Sequence, residues 1–255
     1  MKKFIKIKFI LAFLFVSFNA QALTILLDPG HGGDELGAVT EVNENGRVKK
    51  IYEKDLSLEL AQLIKKKIGS AHNIYLTRSV DRTVTLEERA ELAEKLKVDL
   101  FISIHFNSSK NHKHHGFETY YLDNHNNAAI RKLEASENTD MKGVEKTVNQ
   151  ILIDLVVDKT VDSSKKLSTL IHKKIQNTLP DRFQMKDRGL KPGLFYVLAL
   201  SKRPGVLLEA GFLSNPKEAQ KINRKSFMDE YANSVASGIR EYISFNHKVA
   251  SVPLF

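Results

Sequence analysis

Thr24-Ile-Leu-Leu-Asp-Pro-Gly-His-Gly-Gly-Asp-Glu-Leu-Gly37 decides the fold. An apolar, β-favouring run meets Pro29, Gly30, Gly32 and Gly33, which stop regular pairing and let the backbone approach whatever His31 holds. A single loop histidine is ordinarily a solvated surface residue, so the rest of the chain has to supply the other members of a site. Three distant points do so. Val98-Asp-Leu-Phe-Ile-Ser-Ile104 is apolar on both faces, as a central strand covered by helices must be, and ends at His105. Gly205-Val-Leu-Leu208 delivers Glu209, which Val206 to Leu208 and Ala210 to Phe212 surround with apolar neighbours, where an unpaired charge is costly. Glu53 opens a segment with Leu56, Leu60, Leu63, Ile64 and Ile68 at helical spacing, stopped by Gly69.

Between these points helix and strand alternate. Asn73 to Thr77 predicts a short strand, and Thr85-Leu-Glu-Glu88 is a capping box starting a helix through Lys97. Gly116 to Leu122 predicts another strand. Ser163 or Ser164 is expected to cap a helix carrying Leu167, Leu170, Ile171 and Ile175, followed by a basic loop. Phe195 to Leu198 and Gly205 to Leu208 are expected as the last two strands, and Phe227, Tyr231, Val235, Ile239 and Ile243 mark a closing amphipathic helix. The fold class expected is α/β: a single domain, residues 23–255, with a largely parallel twisted sheet covered by helices on both faces. Residues 123–166 are polar, lack a strand pattern and are expected to form a helical insertion that leaves the sheet after the strand ending at Leu122, near the edge that carries His31.

Lys2, Lys3, Lys6 and Lys8 precede the ten-residue run Phe9 to Phe18 and the small-x-small Ala20-Gln21-Ala22, so residues 1–22 are expected to be a secretory signal. A membrane anchor would need about 20 apolar residues. Cleavage would lower the formal charge from +9 to 9 − 4 = +5. That modest surplus suits an anionic polymer, and no aromatic-interleaved basic stripe points to nucleic acid. With no cysteine in the chain, disulfides are excluded and a metal must be held by His and carboxylates.

Strand endings at the carboxyl edge of an α/β sheet form the crevice where ligands bind, so His31, His105 and Glu209 converge there, with Glu53 within reach. Two His and one carboxylate are the protein ligands of a catalytic zinc; the second glutamate would then act as base. Each residue alone has a plainer reading: a first-turn Glu suits the helix dipole, and a Glu after a strand is often a salt-bridge partner. His112, His114 and His115 are denser but lie in a Lys- and Asn-rich loop without a carboxylate, and are expected to be solvated.

Asp28-Pro-Gly-His-Gly-Gly33, Ser103-Ile-His105 and Pro204-Gly-Val-Leu-Leu-Glu-Ala-Gly-Phe-Leu-Ser-Asn215 resemble the three signature blocks of the zinc-dependent N-acetylmuramoyl-L-alanine amidases, over Thr24 to about Phe245. The resemblance implies that His31, Glu53 and His105 bind zinc and Glu209 is catalytic. It implies hydrolysis of the amide between N-acetylmuramic acid and the L-alanine of the peptidoglycan stem peptide, in wall remodelling and daughter-cell separation, by a protein exported to the periplasm. The signature blocks begin within two residues of the expected cleavage site, so no separate wall-targeting domain is expected before them. In the insertion, Glu134, Glu137 and Asp140 stand beside Val144, Val148, Ile151 and Leu155 at helical spacing. Amidases that split daughter cells are similar here: their helical insert covers the zinc cleft and an activator protein of the division machinery displaces it, which makes Glu137 the candidate regulatory carboxylate. A zinc peptidase cutting stem peptides would need a motif such as His-Glu-x-x-His, absent here, and a non-catalytic wall-binding module would have no use for Glu209.

Overall fold

A computed structural model describes residues 22–44, 46–138 and 145–250. The expected signal segment lies outside them except for its last residue. In chain order the elements are β1 (Thr24–Pro29), β2 (Val39–Glu44), β3 (Arg47–Tyr52), α1 (Glu53–Ile68), β4 (Asn73–Leu76), α2 (Leu86–Lys95), β5 (Leu100–Asn107), β6 (Phe117–Leu122), α3 (Ala128–Glu137), α4 (Glu145–Gln176), α5 (Leu179–Phe183), β7 (Asp187–Gly193), α6 (Tyr196–Ser201), β8 (Gly205–Phe212), α7 (Pro216–Ile222) and α8 (Lys225–Ala250). The six-stranded sheet has the order β4-β1-β5-β8-β6-β7, and β2 and β3 form a separate antiparallel pair. The first four strands run parallel; β6 is antiparallel to β8, and β7 runs with β6.

Both faces are covered. On the back face Ile25, Leu27, Ile102, Ile104, Val206 and Leu208 pack with Leu60 and Ile64 of α1 and with Tyr231 and Val235 of α8. On the front face Leu26, Phe101 and Leu207 meet Ala93 of α2, Ile130 of α3, Leu198 of α6 and the first half of α4. Period-two alternation then puts Asp28, Ser103, His105, Glu209 and Glu118 on the front, and register sets His105, Glu209 and Glu118 side by side on β5, β8 and β6.

Four details differ from the sequence-based expectation. Phe195 to Leu198 is not a strand: Phe195 is the N-cap of α6, and the run is a short front-face helix, because an apolar tetrapeptide carries no period to tell the two apart. The basic loop before it is instead the edge strand β7. Ser163 and Ser164 cap nothing. Helix α4 runs unbroken through them for 32 residues, since Ile153, Val157, Thr160, Ser164, Leu167, Ile171 and Ile175 continue one buried stripe, and Ser164 Oγ accepts from Gly205 N–H at 3.1 Å. Of the apolar series in the insertion, Leu155 is 63% exposed; Val144 lies outside the described residues, as does Asp140, and so do the side chains of Val148 and Ile151.

The last difference concerns the insertion's exit. Because β6 is antiparallel to β8, Leu122 lies at the end of the sheet away from Glu209, so the insertion does not leave from the active edge. The chain comes back along the front face in α3, which brings Glu137 to that edge. Asn138 fixes the return: its side chain donates to Leu194 O and accepts from Tyr196 N–H, both at 2.8 Å. Glu134 accepts from Leu194 N–H and pairs with His125, both at 2.5 Å.

Candidate metal centre

His31 stands just past β1 with φ 59°, a left-handed conformation that a non-glycine residue holds only when its surroundings enforce it. Two buried arginines do the enforcing. Arg89, 3% exposed, pairs with the Asp28 carboxylate and donates to Pro29 O and His31 O, each at 3.0 Å. Arg78, 1% exposed, donates to Gly30 O at 2.8 Å and to Lys54 O at 2.7 Å, which ties the His31 loop to the first turn of α1. Burial works against the Asp28 carboxylate, but Arg89 and the Thr77 hydroxyl outweigh it and keep its pKa below the ordinary value. Neither arginine, nor Asp28, stands out in the sequence, because each partner lies roughly 50 to 60 positions away.

The same turn frees a donor for Glu53. Gly30 N–H pairs with Ile104 O at 3.0 Å, and in a continuing parallel ladder its carbonyl would next take Phe106 N–H. That carbonyl is instead turned to Arg78 and to Ser57 Oγ, and Phe106 N–H bonds Glu53 Oε1 at 2.9 Å. Ala38 N–H holds the other oxygen at 2.8 Å. Glu53 is therefore fixed by two backbone amides before any cation is considered.

Around Oε1 of Glu53 the two imidazoles converge: His31 Nε2 is 3.1 Å away and His105 Nδ1 3.2 Å. The rings meet edge-on with centroids 5.1 Å apart. Glu137 Oε2 approaches from α3, 3.2 Å from His105 Nδ1 and 3.9 Å from His31 Nε2. One ligand atom from each of His31, His105 and Glu137 lies within 4.8 Å of the other two. Despite these separations, among the described residues His31 Nε2 and His105 Nδ1 are buried without a hydrogen-bond partner, and so are both oxygens of Glu209. Buried nitrogens that point at a shared space and bond nothing fit a cation site, and imidazole with carboxylate is a donor set for zinc.

Charge in the cluster is polarised accordingly. Burial disfavours the Glu53 carboxylate, yet the neighbouring His31 and His105 hold it well below the usual range. Burial disfavours a charged His105, while Glu137 and Glu53 push its pKa up. Burial and then the nearby Glu137 raise Glu209, which suits a group that must hold a proton part of the time. Glu209 is the register partner of His105, inside β8 and not after it, and β5 likewise continues past His105 to Asn107. The exposed His112, His114 and His115 stay outside the nitrogen cluster; His112 Nδ1 lies 2.6 Å from Ser214 O.

A groove of about 720 Å³ runs from His31, Glu53 and Glu137 along β6 and β7 past Glu118, Arg188 and Lys191. A smaller pocket of about 150 Å³ lies on the other side of Glu137, against Arg89 and Phe195.

Comparison with known proteins identifies the family of the chain. Residues 25–241 match the family model described as N-acetylmuramoyl-L-alanine amidase. The chain is 29% identical over 234 residues to N-acetylmuramoyl-L-alanine amidase AmiC of Escherichia coli O6:H1, covering 88% of this chain and 54% of that one, so it spans about half the length of that relative. Among solved structures it is similar to the N-acetylmuramoyl-L-alanine amidase from Clostridium difficile 630, with TM-score 0.64, 29% identity, and 88% and 97% of the two chains covered. The CwlD amidase from Clostridioides difficile, solved in complex with the GerS lipoprotein, gives TM-score 0.64 and 25% identity, covering 88% and 99%. The family model spans both histidines, Glu53 and Glu209, and the chain belongs to the N-acetylmuramoyl-L-alanine amidase family.

Proposed function

We propose that the protein hydrolyses the amide between N-acetylmuramic acid and the L-alanine of peptidoglycan stem peptides, with zinc held by His31, Glu53 and His105. The observation that carries this reading is the pair of buried, unbonded nitrogens of His31 and His105 converging on Glu53, with the unbonded carboxylate of Glu209 on the adjacent strand. When bound, zinc supplies a Lewis acid that polarises the scissile carbonyl and acidifies water. Glu209 takes the proton of the attacking water at one carboxylate oxygen and returns it to the departing L-alanine amine. Burial, which raises its pKa, matches it to both halves of that transfer. Arg78 and Arg89 hold the two ligand-bearing segments in register so that no ligand has to be recruited on binding.

A zinc peptidase acting within the stem peptide would use the same donors. Muropeptide mass spectrometry separates the two, because only the amidase releases intact stem peptides with a free L-alanine amine. In the same experiment His105→Ala should lose metal and turnover together. A full equivalent of zinc with persisting turnover would remove His105 from the ligand set.

We further propose that Glu137 occupies the remaining coordination position and restrains the enzyme until a partner protein withdraws α3. Support comes from Glu137 Oε2 lying 3.2 Å from His105 Nδ1, and from the buried Glu134 and half-buried Asn138 anchors on either side of it. The CwlD relative solved with a lipoprotein is a precedent for an amidase that engages a partner. Residues 1–22 act in this reading as an export signal to the periplasm, and among the described residues no helix is long and apolar enough to cross a membrane. An unrestrained wall hydrolase would endanger its own cell, which gives the restraint a purpose.

A further inference from the structure

Glu118 is buried and holds more positive charge than it needs. Its Oε1 accepts from Arg188 Nε at 2.7 Å and from Lys191 Nζ at 2.6 Å, while Oε2 accepts from Asn107 Nδ2 at 2.9 Å and Tyr120 OH at 3.0 Å. One cation would neutralise one carboxylate, so this trio carries a net charge of 2 − 1 = +1. Both cationic side chains are 26% exposed and line the groove that begins at the metal centre, and Lys110 and Lys132 line it too. The Arg188 guanidinium lies 5.1 Å from the Phe212 ring centroid, and Lys191 Nζ lies 5.8 Å from that of Tyr120, so both are pre-positioned. Among the described residues only Nε of Arg188 is engaged, which leaves the Nη1 and Nη2 edge of its fork for a second, planar acceptor.

We propose that Arg188 and Lys191 form a carboxylate-binding subsite for the acidic residue that follows L-alanine in the stem peptide. The distances are suitable. Glu118 is two strand spacings from His105, roughly 10 Å at about 4.8 Å per spacing. One extended residue spans about 3.5 Å, and an arginine or lysine side chain reaching back over β6 covers the rest. The groove thus receives the leaving peptide with its acid against a surplus cation, on the amine side of the scissile bond. This subsite rests on the amidase reading, since it is the amidase substrate that places an anionic peptide there.

The test is calorimetric binding of L-alanyl-D-glutamate capped as its γ-methylamide, and of the same compound with its α-carboxylate amidated, to the zinc-loaded full chain. The free acid should bind about tenfold more tightly, the scale of one partly solvated charge-assisted hydrogen bond. In Arg188→Gln and Lys191→Gln the preference should shrink while zinc content and the affinity for the amide stay at their original values. A purely structural role for the two cations would move the melting temperature and leave the preference alone. Equal affinity for the two peptides, no measurable binding of either, or a preference that survives in both variants overturns the subsite. Wall hydrolysis by zinc-loaded Glu137→Ala, which lacks the proposed restraint, reports separately on the amidase reading: turnover without preference sinks only the subsite, and preference without turnover sinks only the amidase.

Discussion

Gly30→Ala should abolish tight zinc binding by moving a single ring. Gly30 is not in the left-handed region, so a side chain there costs no backbone strain; what matters is the space it enters. A Cβ at this position would stand 2.3 Å from Cε1, 2.5 Å from Nε2 and 2.7 Å from Nδ1 of His105, where ordinary contact begins at 3.4 Å. The imidazole, 7% exposed, therefore has to retreat by 3.4 − 2.3 = 1.1 Å. Metal sites tolerate ligand displacements of only about 0.2 Å, so His105 Nδ1 would leave the position that converges with His31 Nε2. Overpacking of this kind costs about 1–3 kcal/mol, which for a domain of this size is a melting-temperature loss of about 2–12 °C, well short of unfolding it. Zinc affinity, by contrast, should fall by at least the 10–100-fold typical of losing a ligand-orienting contact. Chelator competition measures that affinity, and a thermal scan of metal-free protein measures the stability cost separately. Gly69→Ala is the control: at φ 83° and ψ −167° it meets nothing within 4 Å, so it should lose about 1–3 kcal/mol to backbone strain and keep its zinc. Unchanged zinc affinity in Gly30→Ala would refute the assignment of His105 as a ligand in the observed geometry.

Three further outcomes follow from the same geometry. Glu209→Gln should retain zinc and fold while lowering turnover by about 10² to 10⁴, because burial already favours an uncharged group there; wild-type turnover in this variant would exclude Glu209 from the chemistry. Glu137→Ala should raise the turnover of purified enzyme on isolated wall without any partner, and a zinc-loaded variant no faster than the parent would end the proposal of restraint. Asp28 has a folded pKa below its ordinary 3.8, so its stabilisation is present above that value and is lost as pH falls through the lower folded one. Asp28→Asn should therefore flatten the acid limb of a melting-temperature profile below about pH 4, and at pH 7 it should lose about 3–5 kcal/mol because Arg89 is left buried without its counter-charge. Parallel acid limbs in the two proteins would assign the acid lability to another group.

What the sequence reveals and what it hides divide along the range of the interaction. Strands β5 and β8 are covered on both faces, so their runs must be apolar throughout, and His105 and Glu209 stand out because a charge there contradicts its neighbours. Glu53 and the α1 stripe are legible for the same local reason: spacing and a glycine stop lie within a few residues of one another. The hairpin of β2 and β3 is hard to read because Arg47 to Lys50 are exposed and impose no burial pattern; as sequence, its one local signal is the dipeptide Asn45-Gly46. Strand β7 passed as a loop because Arg188 and Lys191 look solvated until Glu118, some 70 residues earlier, is placed beneath them. Arg78 and Arg89 are the sharpest case. As sequence they are two surface-type cations near a strand end and in a capping-box helix, yet they are nearly the most buried charges in the protein. A buried guanidinium is tolerable only where acceptors are already arranged for it, and the acceptors here are the carbonyls that Pro29, Gly30 and His31 expose by breaking the β ladder. The break that delivers His31 to the proposed metal centre thus also creates the need that two distant arginines fill, and this dependence belongs to the folded chain and not to any local stretch of it.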